Sequence, residues 1–188
     1  DLDNDGLKDL FFALSHFPRL ERYTGSDSAL PNRVFRNLGG GRFADASADA
    51  GLGGPAHHHG AAFADFDNDG RLDVAVSVLN SPAKLYRNIT PGANHWLAFE
   101  LRGTRSNRDG LGAVVRVTLP DGRVLHNHAT TSVGYASSSE PLVRFGLDAH
   151  AEARRVEIRW PSGARQELAD VKADMIVEVT EPEPPRFT

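Results

Sequence analysis

The stretch Asp65-Phe66-Asp67-Asn68-Asp69-Gly70-Arg71-Leu72-Asp73 carries four carboxylates within nine residues. The same pattern, Asp-x-Asp-x-Asp-Gly-x-x-Asp, also occurs as Asp1-Leu2-Asp3-Asn4-Asp5-Gly6-Leu7-Lys8-Asp9. So many like charges repel one another unless a cation neutralises them, and a coiled loop brings alternating carboxylates together. Oxygen ligands of this kind suit Ca²⁺, which accepts less regular geometry than Mg²⁺ does. The two stretches therefore predict two calcium-binding loops.

These loops differ from the helix-flanked calcium loop, which carries Glu at its twelfth position. Phe12 and Val76 stand there instead, and the flanking segments 10–14 and 74–78 have the composition of strands. Turns rich in Asp and Asn also occur without metal, with their side chains bonded to their own backbone. Two complete matches at equivalent repeat positions favour metal. The predicted ligands are Asp1, Asp3, Asp5, the Leu7 carbonyl and Asp9 in the first loop, and Asp65, Asp67, Asp69, the Arg71 carbonyl and Asp73 in the second.

An internal repeat organises the first half of the chain. The acidic loops are 64 residues apart, whereas the segments 32–37 and 83–88 correspond with a shift of 51. The first repeat is therefore about 13 residues longer, and we expect the insertion within Ser15–Pro31. Short strands with a period of roughly 50–60 residues are typical of propeller blades.

The character of the sequence changes after Pro91-Gly92. Alternating apolar residues and glycine-containing turns then predict seven short strands, which suggests a small antiparallel β-sandwich. Trp96 and Trp160 are predicted to be core residues of this sandwich. The predicted strands are His95–Leu101, Gly112–Leu119, Arg123–Thr130, Pro141–Phe145, Arg154–Trp160, Arg165–Leu168 and Met175–Thr180.

The stretch Gly60–Val74 resembles the FG-GAP/VCBS repeats of calcium-binding β-propellers. The resemblance implies that Gly60–Ala64 forms the innermost strand of a blade and that the calcium loop joins it to the next strand. Only about one and a half blades are present, and the chain opens on a predicted ligand. We therefore expect the N-terminal part of the propeller to be missing.

The second half resembles the ASPIC/UnbV domain, and repeats followed by this domain are the usual order in that family. The family has no generally established enzymatic activity. What the resemblance implies is a secreted or cell-surface protein. The fold expected is all-β, with incomplete propeller repeats at 1–92, a sandwich at 93–180 and a proline-rich tail at 181–188. The matching segments are Asn94–Leu97, Leu101–Ala113, Gly134–Glu140, Phe145–Leu147 and Trp160–Gly163.

Composition narrows the function classes further. The formal charge is −4, which two Ca²⁺ would balance, and no basic excess points to nucleic acid. The chain has no Cys, which excludes disulfides and a Cys nucleophile. No apolar run approaches the roughly 18 residues of a membrane span. We expect an extracellular or cell-surface location, as for a secreted bacterial protein.

Four further motifs have competing readings. His57-His58-His59 could bind a transition metal or a ligand near a channel mouth, although a polar loop leading into a strand is favoured. Asn107-Arg108-Asp109-Gly110 with Arg105 could clamp an anion, but a hairpin loop held by its own side chains is favoured. Ser137-Ser138-Ser139 with Glu140 and nearby histidines could suggest a hydrolase, but no nucleophile elbow accompanies them, so an exposed loop is favoured. Asn88-Ile89-Thr90 fits the N-glycosylation pattern but is followed by Pro91.

The sequence thus favours a non-catalytic, calcium-binding structural or adhesive module. Its expected partners are other proteins, glycans or copies of itself, with no nucleic acid. The alternative is an enzyme or carbohydrate-binding protein with its site in the missing blades or near His57–His59.

Overall fold

The computed structural model describes residues 1–15 and 29–183 of the 188-residue chain. Within these ranges the chain forms thirteen β-strands joined by loops and no helix, so none of its described segments could span a membrane as a helix. The predicted all-β class is therefore confirmed. The strands form four sheets, two from each half of the chain.

Two antiparallel meanders make up the N-terminal half. Their strands are β1 (Leu10–Phe12), β2 (Arg33–Asn37), β3 (Phe43–Asp45), β4 (His58–Ala64), β5 (Asp73–Val78) and β6 (Ser81–Tyr86). The first sheet has the order β1-β2-β3 and the second the order β4-β5-β6. The first acidic loop leads into β1, and the second joins β4 to β5. The strands that they enter, β1 and β5, correspond in the sequence repeat, although β1 lies at the edge of its sheet and β5 at the centre of its sheet.

The predicted inner strand Gly60–Ala64 lies within β4. The strands β5 and β6 are joined by the short turn Leu79-Asn80, where Asn80 takes a φ of +55° that Asn tolerates better than most residues. Most of the predicted insertion within Ser15–Pro31 lies outside the described residues.

Seven strands make up the C-terminal half, as the sequence predicts. They are β7 (His95–Arg102), β8 (Val114–Thr118), β9 (Val124–His128), β10 (Val143–Asp148), β11 (Glu152–Arg159), β12 (Arg165–Lys172) and β13 (Met175–Thr180). One sheet has the order β10-β7-β13 and the other the order β12-β11-β8-β9. We call residues 93–180 the C-terminal sandwich.

One pairing in the sandwich differs from the prediction. The strand β13 runs parallel to β7, from Met175 beside Leu97 to Thr180 beside Arg102. The expectation of a purely antiparallel sandwich is wrong for this pair. Tight turns impose antiparallel pairing only on strands that follow each other, whereas β7 and β13 are separated by five other strands. The long connection allows them to run in the same direction.

The sandwich core contains residues from both of its sheets. Val115 and Val117 of β8, with Val156 of β11, are fully buried against Leu97 and Phe99 of β7. Because strand side chains alternate between faces, the apolar residues at every second position of β8 and β11 reach the core, whereas Val114 on the other face of β8 is exposed. The predicted alternation is therefore confirmed.

The two tryptophans occupy different environments. Trp160 is 1% exposed and belongs to the core cluster, as predicted. Trp96 is only partly buried and lies outside that cluster, so the prediction is wrong for it. Its indole packs on Gly70 of the second acidic loop: a Cβ added to Gly70 would lie 1.8 Å from the Trp96 Nε1.

The predicted proline-rich tail, 181–188, starts at a residue that belongs to the packed structure. Glu181 is 1% exposed, and its backbone N–H donates to the Arg102 carbonyl at 2.8 Å. The sequence does not reveal this, because a glutamate at the start of a proline-rich segment is typical of solvated linkers. Residues 184–188 lie outside the described part of the chain.

Candidate metal centre

The second acidic loop gathers three carboxylates. Asp65, Asp67 and Asp73 each offer an oxygen, and the three oxygens lie within 4.8 Å of one another. Asp65 is 8% exposed and Asp73 only 1%. Buried like charges at this distance repel strongly, so a cation among them would stabilise the loop.

The first acidic loop repeats this arrangement. Oxygens of Asp1, Asp3 and Asp9 also lie within 4.8 Å of one another. Two buried oxygens, Asp1 Oδ1 and Asp3 Oδ1, have no hydrogen-bond partner. Buried polar atoms without a partner are rare, and here they fit ligands of a divalent cation.

A glycine shapes each loop in the same way. Gly6 and Gly70 both adopt a φ of +87°, a conformation that residues with a Cβ rarely take. The Gly6 N–H donates to Asp1 Oδ2 at 3.0 Å, and the Gly70 N–H donates to Asp65 Oδ2 at 2.9 Å. The glycine therefore holds the first predicted ligand of its loop in a fixed orientation.

The third aspartate of each loop stands outside the cluster of three. Asp5 Oδ1 accepts the Leu7 N–H at 2.8 Å, and Asp69 Oδ1 accepts the Arg71 N–H at 3.0 Å. Burial raises the pKa of Asp5, whereas at Asp69 the opposing effect of burial is outweighed by hydrogen bonds from Arg71, which lower its pKa. The roles of both aspartates, and of the Leu7 and Arg71 carbonyls, as ligands stay predictions.

An arginine braces each loop: Arg36 lies in β2 and Arg87 directly follows β6. Arg36 Nε lies 2.7 Å from Asp3 Oδ2, and Arg87 Nε lies 2.6 Å from Asp67 Oδ2. Both arginines are more than half exposed, so each ion pair contributes little to stability by itself. Their role is to orient one carboxylate of each loop.

The asparagine next to each arginine holds the last aspartate. The Asn37 N–H donates to Asp9 Oδ1 at 2.8 Å, and the Asn88 N–H donates to Asp73 Oδ1 at 2.6 Å. Sequence reasoning aligned these Arg-Asn pairs only as part of the repeat and gave them no role. Their recurrence with the same shift of 51 was the signal that could have identified them.

The side chain of Asn88 also makes hydrogen bonds to both acidic loops. Its Nδ2 donates to the Leu2 carbonyl at 2.7 Å and to the Leu72 carbonyl at 3.1 Å, and its Oδ1 accepts the Thr90 N–H at 3.0 Å. Attachment of a glycan to Nδ2 would break at least one of these bonds. The geometry therefore opposes glycosylation at this acceptor pattern.

Replacing Asn88 with Ala should lower the free energy of unfolding by about 1–3 kcal/mol, because part-buried carbonyls of both loops would lose their donor. Chemical denaturation of the calcium-loaded protein measures this change. Ile89→Ala is the control, since Ile89 is 75% exposed and its loss should be nearly neutral. Equal stability of the two variants would show that Asn88 does not brace the loops.

The histidine motif does not assemble a metal site within the described residues. His58 is fully buried, and its Nε2 lies 3.4 Å from Lys84 Nζ. Burial and the Lys84 charge lower the pKa of His58, so it stays neutral near pH 7. His59 is exposed.

The serine and asparagine motifs have structural partners. Ser139 Oγ accepts the Phe63 N–H at 3.1 Å, and Ser137 Oγ donates to the Tyr135 carbonyl at 2.8 Å. Asn107 Oδ1 accepts the Asp109 N–H at 2.9 Å, so this loop is held by its own side chain as predicted. It is not a hairpin, however, because it joins β7 to β8, which belong to different sheets. Two of these contacts each lie within a single loop and the third joins a loop to β4, and none of the three aligns a nucleophile with a base.

Comparison with known proteins supports both halves of the architecture. Residues 1–76 match the FG-GAP-like repeat family, and residues 103–186 match the ASPIC and UnbV family. Part of the chain is also similar to cartilage acidic protein 1 of Homo sapiens, with 46% identity over 57 residues, and of Mus musculus, with 44% identity over 57 residues. In Xenopus tropicalis the identity is 37% over the same length.

Each of these matches covers 30% of this chain and 9% of the relative, so the chain spans only a small part of the curated proteins it resembles. The two family matches together nevertheless confirm the resemblance found from the motifs. The chain is therefore similar to FG-GAP-like repeats over residues 1–76 and to the ASPIC and UnbV domain over residues 103–186.

Proposed function

We propose that the chain is a secreted, calcium-binding structural module in which each acidic loop binds one Ca²⁺. The observation that carries the proposal is the duplicated carboxylate cluster, with Asp1, Asp3 and Asp9 in one loop and Asp65, Asp67 and Asp73 in the other. The buried oxygens without partners in the first loop support the same conclusion.

Calcium fits these loops better than other divalent cations. The clustered donors are carboxylate oxygens on irregular loops, and Ca²⁺ accepts six to eight oxygens in irregular geometry. Mg²⁺ requires near-octahedral geometry and keeps several waters, whereas Zn²⁺ prefers nitrogen and sulfur ligands. The third aspartate and the backbone carbonyl of each loop would complete the coordination.

A structural role follows from what the ions would do. Each loop links or precedes a strand, so neutralising its carboxylates would rigidify the connection between strands. We propose that the two meanders are consecutive blades of a β-propeller, with repeats at 1–92 and a sandwich at 93–180. Similarity to the cartilage acidic proteins supports an extracellular location, where calcium is abundant enough for modest affinity to suffice.

We further propose that the module acts by binding proteins, glycans or copies of itself rather than by catalysis. Within the described residues, the serine and histidine motifs make structural contacts, and no observation there favours an enzyme. Removal of calcium should therefore loosen the repeats and weaken association together. Sedimentation velocity with and without a chelator measures that association.

Calorimetric titration with Ca²⁺ should give two bound ions per chain, and Asp3→Asn or Asp67→Asn should each reduce the number to one. Each substitution replaces one carboxylate of one loop with an amide of the same size. Calcium affinity depends on the number of charged ligands, so the altered loop should no longer bind its ion. Asp49→Asn is the matched control, because Asp49 is exposed and lies outside both loops. Absence of heat and of thermal stabilisation with the wild-type chain would refute the calcium sites.

A further inference from the structure

Backbone N–H groups of β10, in the C-terminal sandwich, donate hydrogen bonds to the first acidic loop. Asp1 Oδ2 accepts the Gly146 N–H at 3.2 Å in addition to the Gly6 N–H. Two residues further along β10, the Asp148 N–H donates to the Asn4 carbonyl at 2.9 Å. A predicted calcium ligand is thus oriented by a backbone donor that lies 145 residues away in the sequence.

Gly146 is essential to this approach for steric reasons. A Cβ at this position would lie 2.3 Å from Asp1 Oδ2 and 2.4 Å from the Asn4 backbone carbon. Gly146 is not among the glycines with positive φ, so its backbone conformation would accept Ala. Glycine is therefore required so that the loop can touch the strand, not so that the strand can turn.

The sandwich also contacts the second acidic loop. Arg144 Nη1 lies 3.5 Å from Asp65 Oδ2, and the same guanidinium pairs with Glu140 and lies 5.4 Å from the Trp96 ring centroid. The Trp96 indole packs on Gly70, where a side chain would have no room.

The two loops also touch each other. Asn4 Nδ2 donates to the Gly70 carbonyl at 3.0 Å, and this bond is buried. Movement of one loop would therefore disturb the other as well as the sandwich that covers both.

We propose that residues 144–148 of the sandwich are positioning residues for the calcium loops, so that ion binding and docking of the sandwich on the repeats are one coupled equilibrium. The Gly146 N–H holds Asp1 Oδ2, which leaves the buried Oδ1 as a ligand for the ion. A loop held in this way loses less conformational freedom when it binds calcium. Linkage requires that calcium in turn favours the docked sandwich by the same factor. This inference rests on the proposed calcium sites.

Gly146→Ala tests the coupling directly. The atoms nearest to the added Cβ belong to the first loop, so the substitution should displace that loop while the sandwich core stays folded. Calcium affinity at the first loop should fall roughly 10- to 100-fold, as is usual when a group that orients a ligand is lost. The calcium affinity of the second loop should fall by a smaller factor. Gly134→Ala is the matched control, because its Cβ would make only an ordinary contact, 3.8 Å from the Ala61 carbonyl.

Hydrogen exchange on the wild-type protein provides a second measurement that needs no variant. Chelation of calcium should speed exchange in the segment 143–148, because the amides of Gly146 and Asp148 donate to the first loop. Exchange in β8, inside the sandwich core, should stay slow.

The results separate the two proposals. If the wild-type chain binds no calcium, the proposed function fails. If it binds two ions, but Gly146→Ala binds both with wild-type affinity or chelation leaves exchange at 143–148 unchanged, the coupling is refuted while the calcium sites stand. If Gly146→Ala does not fold, the exchange measurement alone decides.

Discussion

Replacing Glu181 with Ala should destabilise the C-terminal sandwich by roughly 3–5 kcal/mol, the range typical of removing the charged partner from a buried polar network, because several donors would lose their acceptor together. The Glu181 carboxylate accepts the backbone N–H groups of Thr104, Arg105 and Ser106 at 2.9, 2.9 and 2.8 Å. It also accepts the Ser106 hydroxyl at 2.9 Å and the Ser162 hydroxyl. One side chain thus ties the end of β13 to two separate loops. Chemical denaturation followed by far-ultraviolet circular dichroism measures the loss.

The same residue predicts a pH dependence. Burial by itself would raise the pKa of Glu181, but hydrogen bonds from Ser162, Ser106 and Arg105 lower it from 4.5 to about 2. Because the folded state binds the proton more weakly than the unfolded state, this stabilisation is complete above pH 4.5 and is lost as the pH falls towards 2.

Glu181→Gln serves as the control, because it keeps the size of the side chain and removes the titration. The difference in melting temperature between wild type and Glu181→Gln should be largest near neutral pH and shrink between about pH 5 and pH 2. A difference that does not change with pH would show that the carboxylate is not held in its ionised form by these donors.

Trp160→Ala should be the other highly destabilising change, at about 3–5 kcal/mol, since it would leave a large cavity in the sandwich core. Trp160 is 1% exposed, packs in the core cluster, and its Nε1 donates to Gln166 Oε1 at 3.3 Å. Urea denaturation of the calcium-loaded protein measures the cost. Trp160→Phe should cost less, because it keeps an aromatic ring in the same space.

Trp96→Ala provides the comparison that tests the environments of the two tryptophans. Trp96 lies between Arg144 and Gly70, outside the core cluster, so its loss should weaken the contact between sandwich and second loop. The sandwich itself should keep most of its stability. Equal destabilisation of the sandwich by both substitutions would contradict the assignment of Trp96 to the interface.

Much of the local structure was predictable because local patterns determine it. Strand-like composition, turn residues and the apolar alternation of several segments predicted the seven strands of the sandwich, and the spacing of aspartates around Gly6 and Gly70 predicted two similar loops. Side-chain direction in a strand and backbone freedom at a glycine depend on residues that are neighbours in sequence. The presence of both loops and the strands around them could therefore be inferred without a fold.

The errors concern residues whose partners are distant in sequence. Trp96 looks like a core residue of its strand, yet its indole faces a loop of the repeats. Glu181 looks like the start of a tail, yet it accepts hydrogen bonds from residues more than 70 positions earlier. The parallel pairing of β13 with β7 is also invisible in the strand sequences, because alternation does not encode direction.

The sequence by itself determined the all-β class, the strands and the two acidic loops with their candidate ligands. Only the tertiary structure decided that both loops meet and that the sandwich lies against them, through Asn4, Arg144 and Gly146. The physical reason is that these contacts depend on the close approach of surfaces that are far apart in the chain. From the sequence alone, Gly146 looks like a residue that weakens its strand. Only the loop packed against it shows that a side chain at this position would clash.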